Sequence, residues 1–102
     1  MIARVWHGET AAEDGDAYAA YIEETGMTNA RKISGSRGTL VLRRTDGDRT
    51  EFKTVLLFDS LEDVQAFAGD DIEKAVFYPE DDRYLVERDL GATHYEADVH
   101  MV

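Results

Sequence analysis

The run Val55-Leu56-Leu57-Phe58 is the strongest constraint on how this chain can fold. Successive residues of a strand point to opposite sides, so four apolar residues in a row require cover on both faces. The run falls within a strand expected over Arg49–Asp59, which follows a strand over Thr39–Thr45 across the turn Asp46-Gly47-Asp48. An Asp-Gly pair between such segments marks a hairpin. A further strand over Ile2–Glu9 is apolar on both sides through Ile2, Val5 and Trp6, so two strands of this chain read as central.

Helices are expected on either side of the hairpin. Thr10 stands three residues before Glu13, the spacing of a capping box, and Glu13 and Asp14 suit the positive end of a helix. That helix is expected to reach about Thr25, with Ala17, Tyr18, Tyr21 and Ile22 facing inward and Gly26 ending it. Ser60 and Asp63 repeat the cap, Leu61, Val64, Phe67 and Ala68 form the stripe, and Gly69 stops the second helix. Helical turns around Asp71–Val76 and Glu80–Leu85 precede a last strand at about Thr93–Met101. The order is that of an α+β, ferredoxin-like βαββαβ domain spanning residues 1–102, a four-stranded antiparallel sheet with two main helices on one face. Those helices leave the second apolar face bare, and a homodimer is the economical way to cover it. A chain of 102 residues buries only about 60–70% of its unfolded surface, so such cover matters to its stability.

Composition narrows the partners. Twenty-two Asp and Glu against 11 Lys and Arg give a net charge of −11, which repels phosphate backbones and argues against nucleic acid. Lysine occurs only at 32, 53 and 74, and an acid-rich, lysine-poor surface is also what adaptation to high salt would produce. The absence of cysteine removes disulfides, thiolate catalysis and zinc–sulfur sites together. With no apolar run of about 18 residues and no basic segment leading into an apolar one, neither a membrane span nor a secretory signal is expected, and the default location is cytoplasmic.

Several segments carry a resemblance. The opening Ile2-Ala3-Arg4-Val5-Trp6-His7-Gly8-Glu9-Thr10, the Arg37-Gly38 lead into the second strand, the run Phe67 to Val76, the turn Tyr78-Pro79-Glu80-Asp81-Asp82 and the closing His94-Tyr95-Glu96 are similar to the antibiotic-biosynthesis-monooxygenase-like domains. The resemblance extends over nearly the whole chain and implies a dimeric α+β barrel in which two ferredoxin-like sheets meet. It also implies, for activity, a cofactor-independent monooxygenase acting on a small aromatic or apolar substrate, with the substrate supplying the electrons. The alternative is a non-catalytic dimeric ligand-binding or stress-associated module. Where the family's pockets often present Trp on the second helix this chain has Phe67, and its one asparagine, Asn29, lies outside the strands. Haem degradation in the wider family needs an Asn on the first strand, a Trp on the second helix and a His near the helix end, none of which is in place, so no cofactor is expected.

The candidate residues follow. Tyr78 and His94 are the expected catalytic groups: a phenol beside Pro79 can pack its ring and present its hydroxyl, and His94 opens the last strand where a pocket mouth would lie. Arg4 and Trp6 alternate onto one face of the first strand and, with Phe67 and Tyr84, are the expected substrate-binding side chains, against the plainer reading of a salt-bridged Arg and core rings. His7 points to the opposite face and reads as a satisfied or solvated histidine. His94, Glu96, Asp98 and His100 share a face of the last strand, but an i to i+2 step is roughly 6.5–7 Å, so neighbouring pairs at most could meet one ion. They read as a solvated face, and no metal site is expected.

Overall fold

The computed structural model describes residues 1–101. Its centre is the antiparallel pair β1 (Ile2–Ala11) and β3 (Arg49–Phe58), in register from Ile2 opposite Phe58 to Ala11 opposite Arg49. β2 (Ser36–Asp46) flanks β3 through a two-residue turn in which Gly47 takes φ 62°, a conformation that favours glycine. The other side of β1 is shared by two short antiparallel strands, β4 (Leu85–Arg88) against Gly8–Thr10 and β5 (Thr93–Glu96) against Ile2–Val5. The fold is thus α+β with an open five-stranded antiparallel sheet, an arrangement compatible with the ferredoxin-like order.

This corrects the expectation of four strands with a last one reaching Met101. Pairing stops where β1 does: Glu96 lies opposite Ile2, and the Ala97 N–H donates to the Met1 carbonyl (2.9 Å) as the final rung. Asp98 and His100 therefore lie outside the sheet. The expected turn at Glu80–Leu85 is α4 (Asp81–Tyr84), but Leu85 already belongs to β4. No helix forms over Asp71–Val76, where Lys74 instead bridges Gly91 and the Ala75 N–H reaches the Leu90 carbonyl (3.0 Å).

The first helical layer is longer than expected. α1 (Gly15–Ile22) runs without a break through a π-turn (Glu23–Met27) into α2 (Thr28–Arg31), and Gly26 sits buried inside it rather than ending it. The apolar face explains the continuation: Met27 and Ala30, beyond the glycine, are 3% and 0% exposed and extend the stripe begun by Tyr18 and Ile22. The widened turn is held by hydroxyls, Thr25 donating to the Tyr21 carbonyl (2.7 Å) and Thr28 to that of Glu23 (2.6 Å). Thr10 caps nothing; it lies in β1 with its hydroxyl on the Ala11 carbonyl, and a 3-10 turn (Ala12–Asp14) separates it from α1. Ala17 is exposed, so the inward stripe is narrower than its spacing implied. α3 (Leu61–Ala68) follows Ser60 and ends at Gly69, whose φ of 85° is a left-handed stop, with Val64 buried and Leu61 exposed.

Helices and sheet enclose one core, with Phe52, Leu56 and Phe58 of β3 packed against Tyr18, Ile22, Met27, Ala30 and Val64. The opposite face of the sheet has no such cover. Leu40, Val55 and Val5 align across three strands there, Leu57, Ala3 and Tyr95 form the next row, and Leu40, Leu42 and Tyr95 are about half exposed. No helix among the described residues is long and apolar enough to cross a membrane.

Candidate functional site

A cavity of about 60 Å³ opens between the sheet and the helical layer. Its floor is Arg4 and Trp6 of β1 with Thr54 and Leu56 of β3, one helical wall is the π-turn at Thr25–Met27, and Phe67 and the segment Ala75–Tyr78 complete the rim. On this measure one water needs roughly 10–15 Å³, whereas drug-sized ligands occupy sites of roughly 300–1,000 Å³. The space suits a few waters or one small ring.

Two features of the backbone shape it. A Cβ on Gly8 would stand 2.4 Å from Trp6 Cη2, so the absence of one lets the indole lie along β1. The ring is then fixed, its Nε1 donating to the Asp89 carbonyl (2.8 Å) and its face meeting Phe77 edge-on at 6.1 Å. On the other wall Gly26 faces Tyr78, with the tyrosine Cε2 3.7 Å from where a Cβ would be.

Arg4 is the unusual group. Its side chain is buried, 3% exposed, and pairs with no carboxylate among the described residues. The guanidinium donates to the backbone carbonyls of Ile72 and Lys74 (2.8 Å to the latter) and to Nε2 of His94 (3.0 Å), which is short of its full donor complement. Phe67 lies beneath it, 5.8 Å from centroid to Cζ. Burial lowers the Arg4 pKa from its ordinary value, yet a guanidinium remains charged. A positive charge in a mostly apolar cavity, without a protein counter-ion, favours an anionic or π-rich occupant.

His94 stands behind Arg4 and does not line the cavity. Accepting from Arg4 at Nε2 assigns the proton of its neutral ring to Nδ1. Burial first, and the Arg4 charge second, hold its pKa below the ordinary imidazole value, with Glu73 opposing weakly.

Tyr78 does line the cavity, and its hydroxyl accepts from Asn29 Nδ2 at 3.1 Å. Beneath it Asp81, 5% exposed, accepts from the Tyr78 N–H (2.6 Å) and from the Tyr18 hydroxyl (2.9 Å). Burial, then the Asp81 charge and hydrogen bond, push the Tyr18 hydroxyl far above the ordinary phenol range, so it remains a donor. This latch ties the Tyr78 turn to α1.

Of the residues singled out from the sequence, Arg4, Trp6, Phe67 and Tyr78 are therefore brought together. Tyr84 is not among them; its ring packs against Tyr18 (5.6 Å) and Tyr21 (6.0 Å), one layer away. Asn29 and Asp81 escaped notice. Asn29 was legible only to a reading that carried the helix through Gly26, which would have set it one turn beyond the cavity wall.

A second cluster lies on the open face of the sheet, where His7 meets Glu9 and Glu51 with all three candidate ligand atoms within 4.8 Å of one another. The i, i+2 pair His7 and Glu9 and the hairpin register that sets Glu51 opposite Glu9 were its sequence signals. Comparison with known proteins supplies no assignment: no protein-family model and no curated protein matches the chain.

Proposed function

We propose that this chain is an antibiotic-biosynthesis-monooxygenase-like domain that works as a homodimer, the two open sheet faces closing into an α+β barrel, and that its cavity receives a small aromatic molecule with an acidic hydroxyl. The buried, carboxylate-free Arg4 on an aromatic-lined floor carries this reading. A phenol whose oxygen faces Arg4 loses its proton more readily, because the developing phenolate meets a fixed positive charge in a site of low polarity. An electron-rich phenolate is the form that gives electrons to oxygen. For a ring methylene activated in this way the balance is CH2 plus O2 to C=O plus H2O, one oxygen atom entering the product and the other leaving as water, with all electrons from the substrate. Trp6, Phe67 and Tyr78 hold the ring, and the cavity volume favours a single ring over a polycycle.

A second reading, binding without turnover, has its own support. The Tyr78 hydroxyl is already engaged by Asn29, and His94 is screened from the cavity by Arg4, so neither expected catalytic group is poised as a free base.

Incubation of the purified chain with a panel of hydroquinones and electron-rich phenols, following oxygen uptake and thermal shift, separates the two. Turnover that falls in Arg4→Met and Tyr78→Phe supports the oxygenase. Thermal shifts lost in Arg4→Met without oxygen uptake support the binding module. Neither turnover nor shift across the panel overturns both.

A further inference from the structure

The open-face cluster, independent of the cavity, has the geometry of a coordination site. His7 Nε2 lies 3.2 Å from Glu51 Oε2 and 3.5 Å from Glu9 Oε2, so two carboxylate oxygens converge on one ring nitrogen. An imidazole has a single proton to offer at that nitrogen and can serve only one of them well. Glu9 and Glu51 also face each other directly across β1 and β3, a like-charge pairing that destabilises a sheet unless a cation lies between.

Ligand atoms about 2.0–2.1 Å from a common ion stand about 3.0–3.4 Å apart in tetrahedral or octahedral geometry, which brackets the separation to Glu51 and nearly reaches that to Glu9. The outer oxygens are turned away and held: Arg49 lies 3.4 Å from Glu9 Oε1 and Arg44 3.8 Å from Glu51 Oε1. The inner oxygens are left to face His7. On the far side of the ring Asp89 Oδ1 is 3.8 Å from Nδ1, and Asp89 is itself fixed by its N–H on the His7 carbonyl and by the Trp6 indole on its own. A carboxylate behind the second nitrogen of a ligating histidine orients the ring and raises its basicity.

We propose that His7, Glu9 and Glu51 bind a divalent transition-metal ion of the Zn²⁺ type on the open face of the sheet, with Asp89 as the positioning residue behind His7. One imidazole with two carboxylates suits a borderline ion, and three protein ligands leave a position for water or for a group brought by whatever covers the face. Lys53, cross-strand from His7 on the same face, and Glu87, 3.7 Å from Arg49, are the remaining charges around it.

The test uses chelator-stripped full-length protein titrated calorimetrically with ZnCl2 in a non-coordinating buffer containing enough salt to screen the acidic surface, and with Co²⁺ as a visible-absorbing probe. Expected are one saturable Zn²⁺ site per chain and a Co²⁺ visible band. Affinity should weaken at least about tenfold in Glu51→Gln and Glu9→Gln, the band should vanish in His7→Ala, and Asp89→Asn should weaken binding while keeping one ion per chain. The double variant His94→Gln, His100→Gln should titrate like the parent. Far-UV circular dichroism confirms that each variant is folded. No saturable binding by the parent, or an isotherm unchanged in both His7→Ala and Glu51→Gln, overturns the proposal and leaves only diffuse attraction of cations to the acidic surface.

Discussion

At the scale of single residues, the contact between Arg4 and His94 couples proton binding to folding. His94 can accept from the guanidinium only while Nε2 is unprotonated. Its folded pKa lies below the ordinary value near 6.5, through burial and then Arg4, with Glu73 the only group acting in the other direction. The unfolded state therefore binds the proton first as pH falls. The contribution to stability is complete above about pH 6.5 and is lost as pH drops from there through the folded pKa. Urea unfolding of the parent and of His94→Gln between pH 7.5 and 5.5 checks this. The parent should lose stability relative to the variant across that window; a constant difference between them would show that His94 is not held neutral. Subtracting the two curves removes the contributions of His7 and His100, which both proteins share.

At the scale of elements, the uninterrupted helix through Gly26 is the consequential departure from what spacing alone implied. Glycine costs about 1 kcal/mol in a helix interior relative to alanine, and here no positive φ requires it. A methyl at this position meets only Tyr78 Cε2 at 3.7 Å, an ordinary contact. Gly26→Ala should therefore raise stability by about 0.5–1 kcal/mol in chemical denaturation, while placing a methyl in the cavity wall and weakening binding of any ring held against Tyr78. A destabilised variant would mean that the π-turn needs the freedom of glycine. The sequence made the strands and their hairpin legible, because apolar runs and an Asp-Gly turn are local signals. It misplaced the helix end because a local breaker was overruled by the burial of Met27 and Ala30, which only the sheet beneath them reveals. The cavity was legible in Arg4, Trp6, Phe67 and Tyr78, which share its lining, but not in Asn29 or Asp81, whose partners lie 49 and 63 residues away. The split of the fourth lane into β4 and β5 had no local signal either, since it depends on where β1 runs out of partners.

At the scale of the whole molecule, shape and charge make opposing demands. The chain measures 37 × 34 × 20 Å, a slab of one sheet and one helical layer, and exposes 6320 Å². A compact monomer of this mass exposes about 5,800 Å² by the usual scaling, so the excess is roughly 500 Å², the order of what one partner contributes to a small interface. The apolar rows of the open face are where that excess lies. Opposing their burial is a charge of −11 on each copy, which salt screens. A homodimer formed through this face should therefore sediment as a dimer at micromolar concentration and tighten as salt rises. In a two-fold interface each residue is used twice. Leu40 and Leu42 are 47% and 50% exposed, so completing their burial is worth about 1 kcal/mol each, or about 4 kcal/mol over the four copies in a dimer. Replacing both with Glu forfeits that and adds like charges, which should weaken association by at least about a thousandfold and leave a folded monomer. Sedimentation of the parent and the double variant at matched concentrations reads this out, with circular dichroism to confirm the fold. A parent that stays monomeric at about 100 μM in molar salt, or a double variant that still dimerises, would place the partner of this chain on another surface; at that concentration even a Kd of 10 μM, about −7 kcal/mol, would give mostly dimer.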